Sequence, residues 1–252
     1  MLKIQNLKKY FGGIRAVDNC NLEVKKGKIT ALIGPNGSGK TTLFNLISGV
    51  LKANSGKIYL DNKDITNFSP EKISNLGISR IFQQSRLFNN LTIKENMILA
   101  LNNEDMKFWK SFFEKNKITK EDEERIKEIL KVFKMEIHED KYARNLSYGQ
   151  KRLIEIARAI IKPHKLIMLD EPVAGVTPVL RKELSQVLLK LKKQGETIFV
   201  IEHDMNFILN LADEVIVMDE GKVIAQGKPS EIKNNTPISE KILQKLEELG
   251  LI

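Results

Sequence analysis

Eight consecutive residues constrain this chain more than any others: Gly34, Pro35, Asn36, Gly37, Ser38, Gly39, Lys40 and Thr41. An apolar run, Ile29–Ile33, enters them, and a segment with helical pattern over 41–47 leaves them and stops at Gly49. Glycine tolerates the backbone angles that turn successive N–H groups inward around an anion. The helix that follows points the positive end of its dipole at the same spot. In such a cradle Lys40 reaches the β- and γ-phosphate oxygens, and the Thr41 hydroxyl is a ligand for Mg²⁺. The eight residues satisfy the P-loop pattern in full, with the required strand before and helix after. Thr42 continues the first helical turn and joins the candidate set. A P-loop alone leaves kinases, GTPases, helicases and transport ATPases open, so the rest of the chain must decide.

Short apolar strands alternate with amphipathic helices along most of the sequence. Strands are expected over 2–7, 20–24, 29–33, 57–60, 78–82, 166–169, 197–201, 214–218 and 223–226. Helices are expected over 150–161, 179–193, 205–211 and 239–249. That alternation predicts an α/β fold with a mainly parallel, covered sheet. Between Gln84 and Ala159 the pattern turns helical. Thr92 and Glu95 have the spacing of a capping box, and Ile126, Ile129, Leu130 and Phe133 lie on one helical face. Phe108, Trp109, Phe112 and Phe113 form an aromatic cluster in charged surroundings, which predicts packing of an inserted helix, with a partner-binding face as the alternative. The expected division is a nucleotide core, 1–84 with 160–252, and a helical subdomain, 85–159.

The net charge of +9 raises the question of nucleic acid. From residue 103 to 141, however, Lys and Arg alternate with Glu and Asp, the pattern of solvated helix faces, so no nucleic-acid partner is expected. The single cysteine, Cys20, excludes an internal disulfide and suits a reducing compartment as a small buried hydrophobe. No secretory signal is expected at the N-terminus, and no apolar run approaches the ~20 residues of a spanning helix. Any service to a membrane is therefore expected from its cytoplasmic face.

Two further segments carry chemistry. An apolar strand over 166–169 ends in Asp170 and Glu171. Parallel sheets place ligands at the C-terminal ends of their strands, which suits Asp170 to a metal role and Glu171 to orienting or deprotonating an attacking water. His203 follows the strand over 197–201, where it could meet the terminal phosphate as a polar sensor.

Leu146, Ser147, Tyr148, Gly149 and Gln150 precede the Asp170 strand by one helix. This segment resembles the signature motif of ABC-transporter ATPases, usually LSGGQ. With the P-loop, Asp170, Glu171 and His203, the order is that family's over essentially the whole chain. The resemblance implies a P-loop NTPase core with an N-terminal antiparallel β subdomain and an inserted α-helical subdomain. It also implies ATP and Mg²⁺ as ligands. Two subunits would sandwich two ATP molecules, with Ser147, Gly149 and Gln150 reaching ATP held by the partner's P-loop. Gln83, with Gln84 as the adjacent alternative, matches the glutamine that senses Mg²⁺ and water. Phe11 matches the adenine-stacking aromatic, with Tyr10 the alternative. Catalytic work would fall to Glu171, His203, Gln83 and Lys40, and metal binding to Thr41, Gln83 and Asp170.

Two departures stand out. Tyr148 replaces the usual glycine of the signature, and Thr177 stands where an aspartate usually ends the loop after Glu171, so cross-talk between the ATP sites is expected to differ. Several segments together look like the branch that energises import of branched-chain amino acids or amides: FGGIRAV from Phe11, RIFQQSRLF from Arg80, LSYGQ, EPVAG from Glu171, and a roughly 40-residue helical insert. The implied partners are transmembrane permeases, a second ATPase of the same or a paralogous chain, and indirectly an external binding protein. A lipid or lipopolysaccharide exporter ATPase is the nearest alternative. A soluble, non-transport ABC ATPase is the next; such proteins usually carry two ATPase domains or a long coiled coil, which 252 residues do not hold.

Overall fold

The computed structural model describes residues 1–81, 87–101 and 118–234. They fall into two compact units. One comprises residues 1–81, 164–175 and 181–234; the other comprises 87–101, 118–163 and 176–180.

The first unit holds both sheets. Strands β1 (Leu2–Phe11), β2 (Ile14–Val24), β4 (Ser55–Leu60) and β5 (Lys63–Asp64) form an antiparallel sheet in the order β2-β1-β4-β5. The second sheet contains β3 (Ile29–Ile33), β6 (Ile78–Ile81), β7 (Leu166–Asp170), β8 (Ile198–Ile201), β9 (Glu214–Asp219) and β10 (Lys222–Gly227), in the order β10-β9-β3-β8-β7-β6. All its pairings are parallel except β9 with β10. That pair needs only a tight turn, supplied by Glu220 and Gly221 at φ 46° and 78°, the left-handed conformations of a two-residue hairpin. β3, β7 and β8 are buried at every position, which explains why they read as continuous apolar runs.

The expected β/α architecture is therefore present, with the antiparallel N-terminal sheet beside it. The first two strands run longer than their apolar cores suggest. β1 reaches Phe11 and β2 starts at Ile14 because antiparallel pairing continues through polar residues to a turn at Gly12 and Gly13. Helix α1 (Lys40–Ile47) presses Leu43, Phe44 and Ile47 into the core shared by the two sheets. The Phe44 ring lies 4.8 Å from that of Phe199 on β8, so the helix after the glycine loop is locked onto the sheet. Short helices α2 (Pro70–Asn75), α7 (Met205–Leu211) and α8 (Pro229–Asn234), and the longer α6 (Pro178–Lys193), complete the helices. α6 buries Leu184, Val187, Leu188 and Leu191, the face its sequence period implies.

The second unit is helical: α3 (Ile93–Leu101), α4 (Lys120–Val132) and α5 (Tyr148–Ile160). The capping box expected at Thr92 is present. The Thr92 N–H donates to Glu95 Oε2 at 2.7 Å, and the Glu95 N–H donates to Thr92 Oγ1 at 3.1 Å. Ile126, Leu130 and Phe133 are buried as their spacing predicts. The aromatic cluster at 108–113 and the helix expected over 239–249 lie outside the described residues.

Candidate functional site

Sheet order decides which residues meet. β3, β8 and β7 are adjacent and parallel, so their C-terminal ends lie side by side. β3 leads into Gly34, β7 into Glu171, and β8 into Glu202 and His203. Residues far apart in sequence are delivered to one sheet edge, where α/β folds place ligands.

The glycine loop is built by close backbone approach. A Cβ at Gly34 would lie 2.0 Å from the Met218 carbonyl oxygen, and one at Gly39 would lie 2.1 Å from that of Ala16. Both sit at positive φ, 150° and 99°. Main-chain atoms cannot yield to a side chain there, so only glycine fits. The Lys40 ammonium lies within the loop, donating to the Gly34 oxygen at 2.7 Å, the Pro35 oxygen at 2.8 Å and Ser38 Oγ at 3.3 Å. Burial pulls its pKa below the usual lysine value, and the charges of Glu171 and Asp170 pull it back up.

Across the edge, Glu171 adopts φ 47°. A non-glycine residue in this region carries strain of order 1–3 kcal/mol, which concentrates at working sites. Its N–H is held by the Ile201 carbonyl at 3.0 Å, and its carboxylate Oε1 meets His203 Nε2 at 2.5 Å. The buried Asp170 pairs with Arg80 Nη2 at 3.1 Å. Arg80 Nη1 also donates to Asn45 Oδ1 and Ser48 Oγ on and beside α1, at 2.7 and 2.8 Å.

A cavity of about 620 Å³ opens here. Asn36, Gly37, Gly39, Lys40, Thr41 and Thr42 line it from the loop and α1, and Glu171 and His203 from the sheet edge. Gly34, Pro35 and Ser38 stand behind, holding the Lys40 ammonium. A loop of main-chain donors, a lysine and a carboxylate–imidazole pair can together bind a polyphosphate and activate a water.

The other unit presents a helix N-terminus. Ser147 caps α5, accepting from the Gln150 N–H at 3.2 Å, while Gln150 Oε1 accepts from the Ser147 N–H at 3.0 Å. Gly149 faces Leu180: an added Cβ would lie 1.5 Å from Leu180 Cδ2. Tyr148, the departure from the signature pattern, is exposed, which explains why a bulky residue fits where glycine is usual.

Comparison with known proteins settles the family. A sequence model described as "ABC transporter" matches residues 17–174. The chain belongs to the ABC transporter ATPases. It is 41% identical over 243 residues to a probable branched-chain amino acid transport ATP-binding protein LivG of Archaeoglobus fulgidus, covering 95% of this chain and 94% of that one. It is 35% identical over 243 residues to the high-affinity LivG of Escherichia coli K12, covering 94% and 95%. Among solved structures, the ADP conformation of MJ1267, an ATP-binding cassette of an ABC transporter, superposes with a TM-score of 0.84 at 39% identity, covering 98% of each chain. This ABC ATPase thus binds nucleotide and hydrolyses ATP as a transporter subunit. Its family membership implies permease partners and a place at the membrane. Among the described residues no helix is long and apolar enough to cross a membrane.

Sequence reasoning missed four charged lining residues of this ABC ATPase: Arg15, Asp18, Glu220 and Lys222. Asp18 accepts from the Tyr10 hydroxyl at 2.7 Å and lies 3.6 Å from Arg15 and 4.0 Å from Lys222. The Tyr10 hydroxyl, ahead of these charges, holds the Asp18 carboxyl below its usual range. Phe11 does not line the cavity. Its ring is exposed, with the Lys9 ammonium 5.0 Å from its centroid, and it pairs across the turn with Ile14, which does line it. Gln83 lies outside the described residues.

Proposed function

We propose that the chain energises import of branched-chain amino acids or related amides. The observation that carries this is near full-length similarity to ATPases named for branched-chain amino acid transport in both an archaeon and a bacterium. The site supports the chemistry. Lys40 and the loop N–H groups hold the phosphates, Glu171 takes a proton from the attacking water, and His203 orients that carboxylate through the 2.5 Å contact. The donor set suits Mg²⁺: a hydroxyl and a carboxylate are hard oxygen ligands, and the glycine cradle admits phosphate oxygens beside them. Thr41 and Asp170 would hold the ion together with Gln83, and it would neutralise charge on the phosphates.

In this reading ATP joins two ATPases, this chain and a copy or paralogue. Ser147, Gly149 and Gln150 face the partner's nucleotide, and Phe11 stacks on the adenine. The nucleotide core is 1–84 with 160–252, and the helical part is 85–159. The subunit sits on the cytoplasmic face of two permeases served by an external binding protein. Purifying tagged Glu171→Gln protein from membranes with ATP present tests the assignment. Recovery of two multi-span permeases, a second ATPase and an amino-acid or amide binding protein is expected. Recovery of lipid-export components instead would overturn it.

A further inference from the structure

Beyond β8 the chain reads Glu202, His203, Asp204. Glu202 is 2% exposed and has no task in the reading above. Among the described residues its carboxylate is held by main chain alone. Oε1 accepts from the Val173 N–H at 2.9 Å, Oε2 accepts from the His203 N–H at 3.1 Å, and the Asp204 N–H is a third donor. Val173 belongs to the short loop behind Glu171, closed by the Ala174 N–H donating to the Glu171 oxygen at 3.3 Å. One buried carboxylate therefore ties the peptide two residues after Glu171 to the peptide of His203 itself. On the cavity side, those same two residues meet at 2.5 Å.

The choice of an acid needs a reason. Burying a carboxylate is unfavourable unless its oxygens are hydrogen-bonded. Here burial raises the Glu202 pKa, and the three N–H donors and His203 oppose that rise. Only a carboxylate offers two adjacent oxygens that both accept, which is what donors from two separate segments require. An amide would turn a donor toward a donor, and a hydroxyl is too short to span both segments. Asp204, two residues on, fixes the far side: it caps α7 through the Phe207 N–H at 3.0 Å and pairs with Arg181.

We infer that Glu202 is a positioning residue for ATP hydrolysis, fixing the main chain on which Glu171 and His203 stand so that carboxylate and imidazole keep their separation. The inference rests on the roles given to Glu171 and His203 above. It extends the site into the core by one buried residue that does not line the cavity.

Steady-state hydrolysis by the full-length chain tests it. Glu202→Gln keeps shape and volume but replaces one accepting oxygen with a donor. A fall in kcat of order 10–100-fold is expected, because small misplacements of a reacting group have effects of that size. KM for ATP should stay within about twofold, since the cradle is untouched. In a His203→Ala background the same change should lower kcat by less than about threefold more, because its effect runs through His203 and Glu171. Glu202→Asp keeps the charge and shortens the reach. It should also lower kcat at unchanged KM, which preserves the test if Glu202→Gln does not fold. Wild-type kcat in whichever variant folds, or a full multiplicative loss in the His203→Ala background, would overturn the positioning role. A slow Glu171→Gln beside a normal Glu202→Gln sinks only this inference, whereas normal turnover by Glu171→Gln sinks the reading beneath it.

Discussion

Two helices of this ABC ATPase begin at segments assigned to phosphate, and they begin differently. α1 starts at Gly39 in the left-handed conformation with no side-chain cap. α5 starts at Ser147 with a complete capping box. The first turn of a helix leaves four N–H groups without partners inside the helix. At α1 no side chain takes them, so they and the dipole remain for an anion. At α5 the Ser147 and Gln150 side chains take two of those donors, so in the proposed role they would exchange internal partners for a ligand. The first turn of α1 is thus left open in the isolated chain, while that of α5 is partly closed by its own side chains.

Breaking the α1 side should have the largest effects. Lys40→Ala is expected to lower kcat/KM by ~10²–10³, with nucleotide affinity falling too, as measured by hydrolysis and by binding of a fluorescent ATP analogue. Gly39→Ala comes next. Its Cβ meets main chain at 2.1 Å and its φ is 99°, so a loss of at least roughly 1–3 kcal/mol in denaturant unfolding is expected, with weakened nucleotide binding. On the α5 side, Ser147→Ala should lose about 1 kcal/mol from the missing cap and leave binding of ATP to the isolated chain unchanged. A measured loss of monomer affinity would contradict the division between the two helices. The smallest effect is expected for Gly149→Ala. Its obstacle is the tip of the half-buried Leu180, which can rotate away. Less than ~1 kcal/mol should be lost in stability, and Leu180→Ala should relieve it in the double mutant. If hydrolysis still falls in that double mutant, Gly149 acts on phosphate and not only on Leu180.

The same contrast explains what was legible in the sequence. Gly34–Thr41 could be read because the loop, its strand and its helix are contiguous, and their roles follow from backbone geometry. Asp170 and Glu171 could be read because a fully buried strand ends in two acids. Arg80 was not singled out: it lies on a short strand among apolar residues, and its partners Asn45, Ser48 and Asp170 are 35, 32 and 90 residues away. A charged residue within a strand bound for a covered sheet was the available signal. Asp18 and Lys222 reach the cavity from two sheets, a juxtaposition set by the β3–β9–β10 order that no local pattern encodes. The left-handed turn at Glu171 has no sequence signature either, because glycine or asparagine is the usual occupant of that conformation.

The central claim is that the cradle binds nucleotide while the Glu171 carboxylate, held against His203, drives its hydrolysis. Glu171→Gln tests it most directly when ATP binding and phosphate release are measured on one sample. Binding at the wild-type level with phosphate release slowed by ~10²–10³ is expected. Release at the wild-type rate, or loss of binding along with release, would contradict the account.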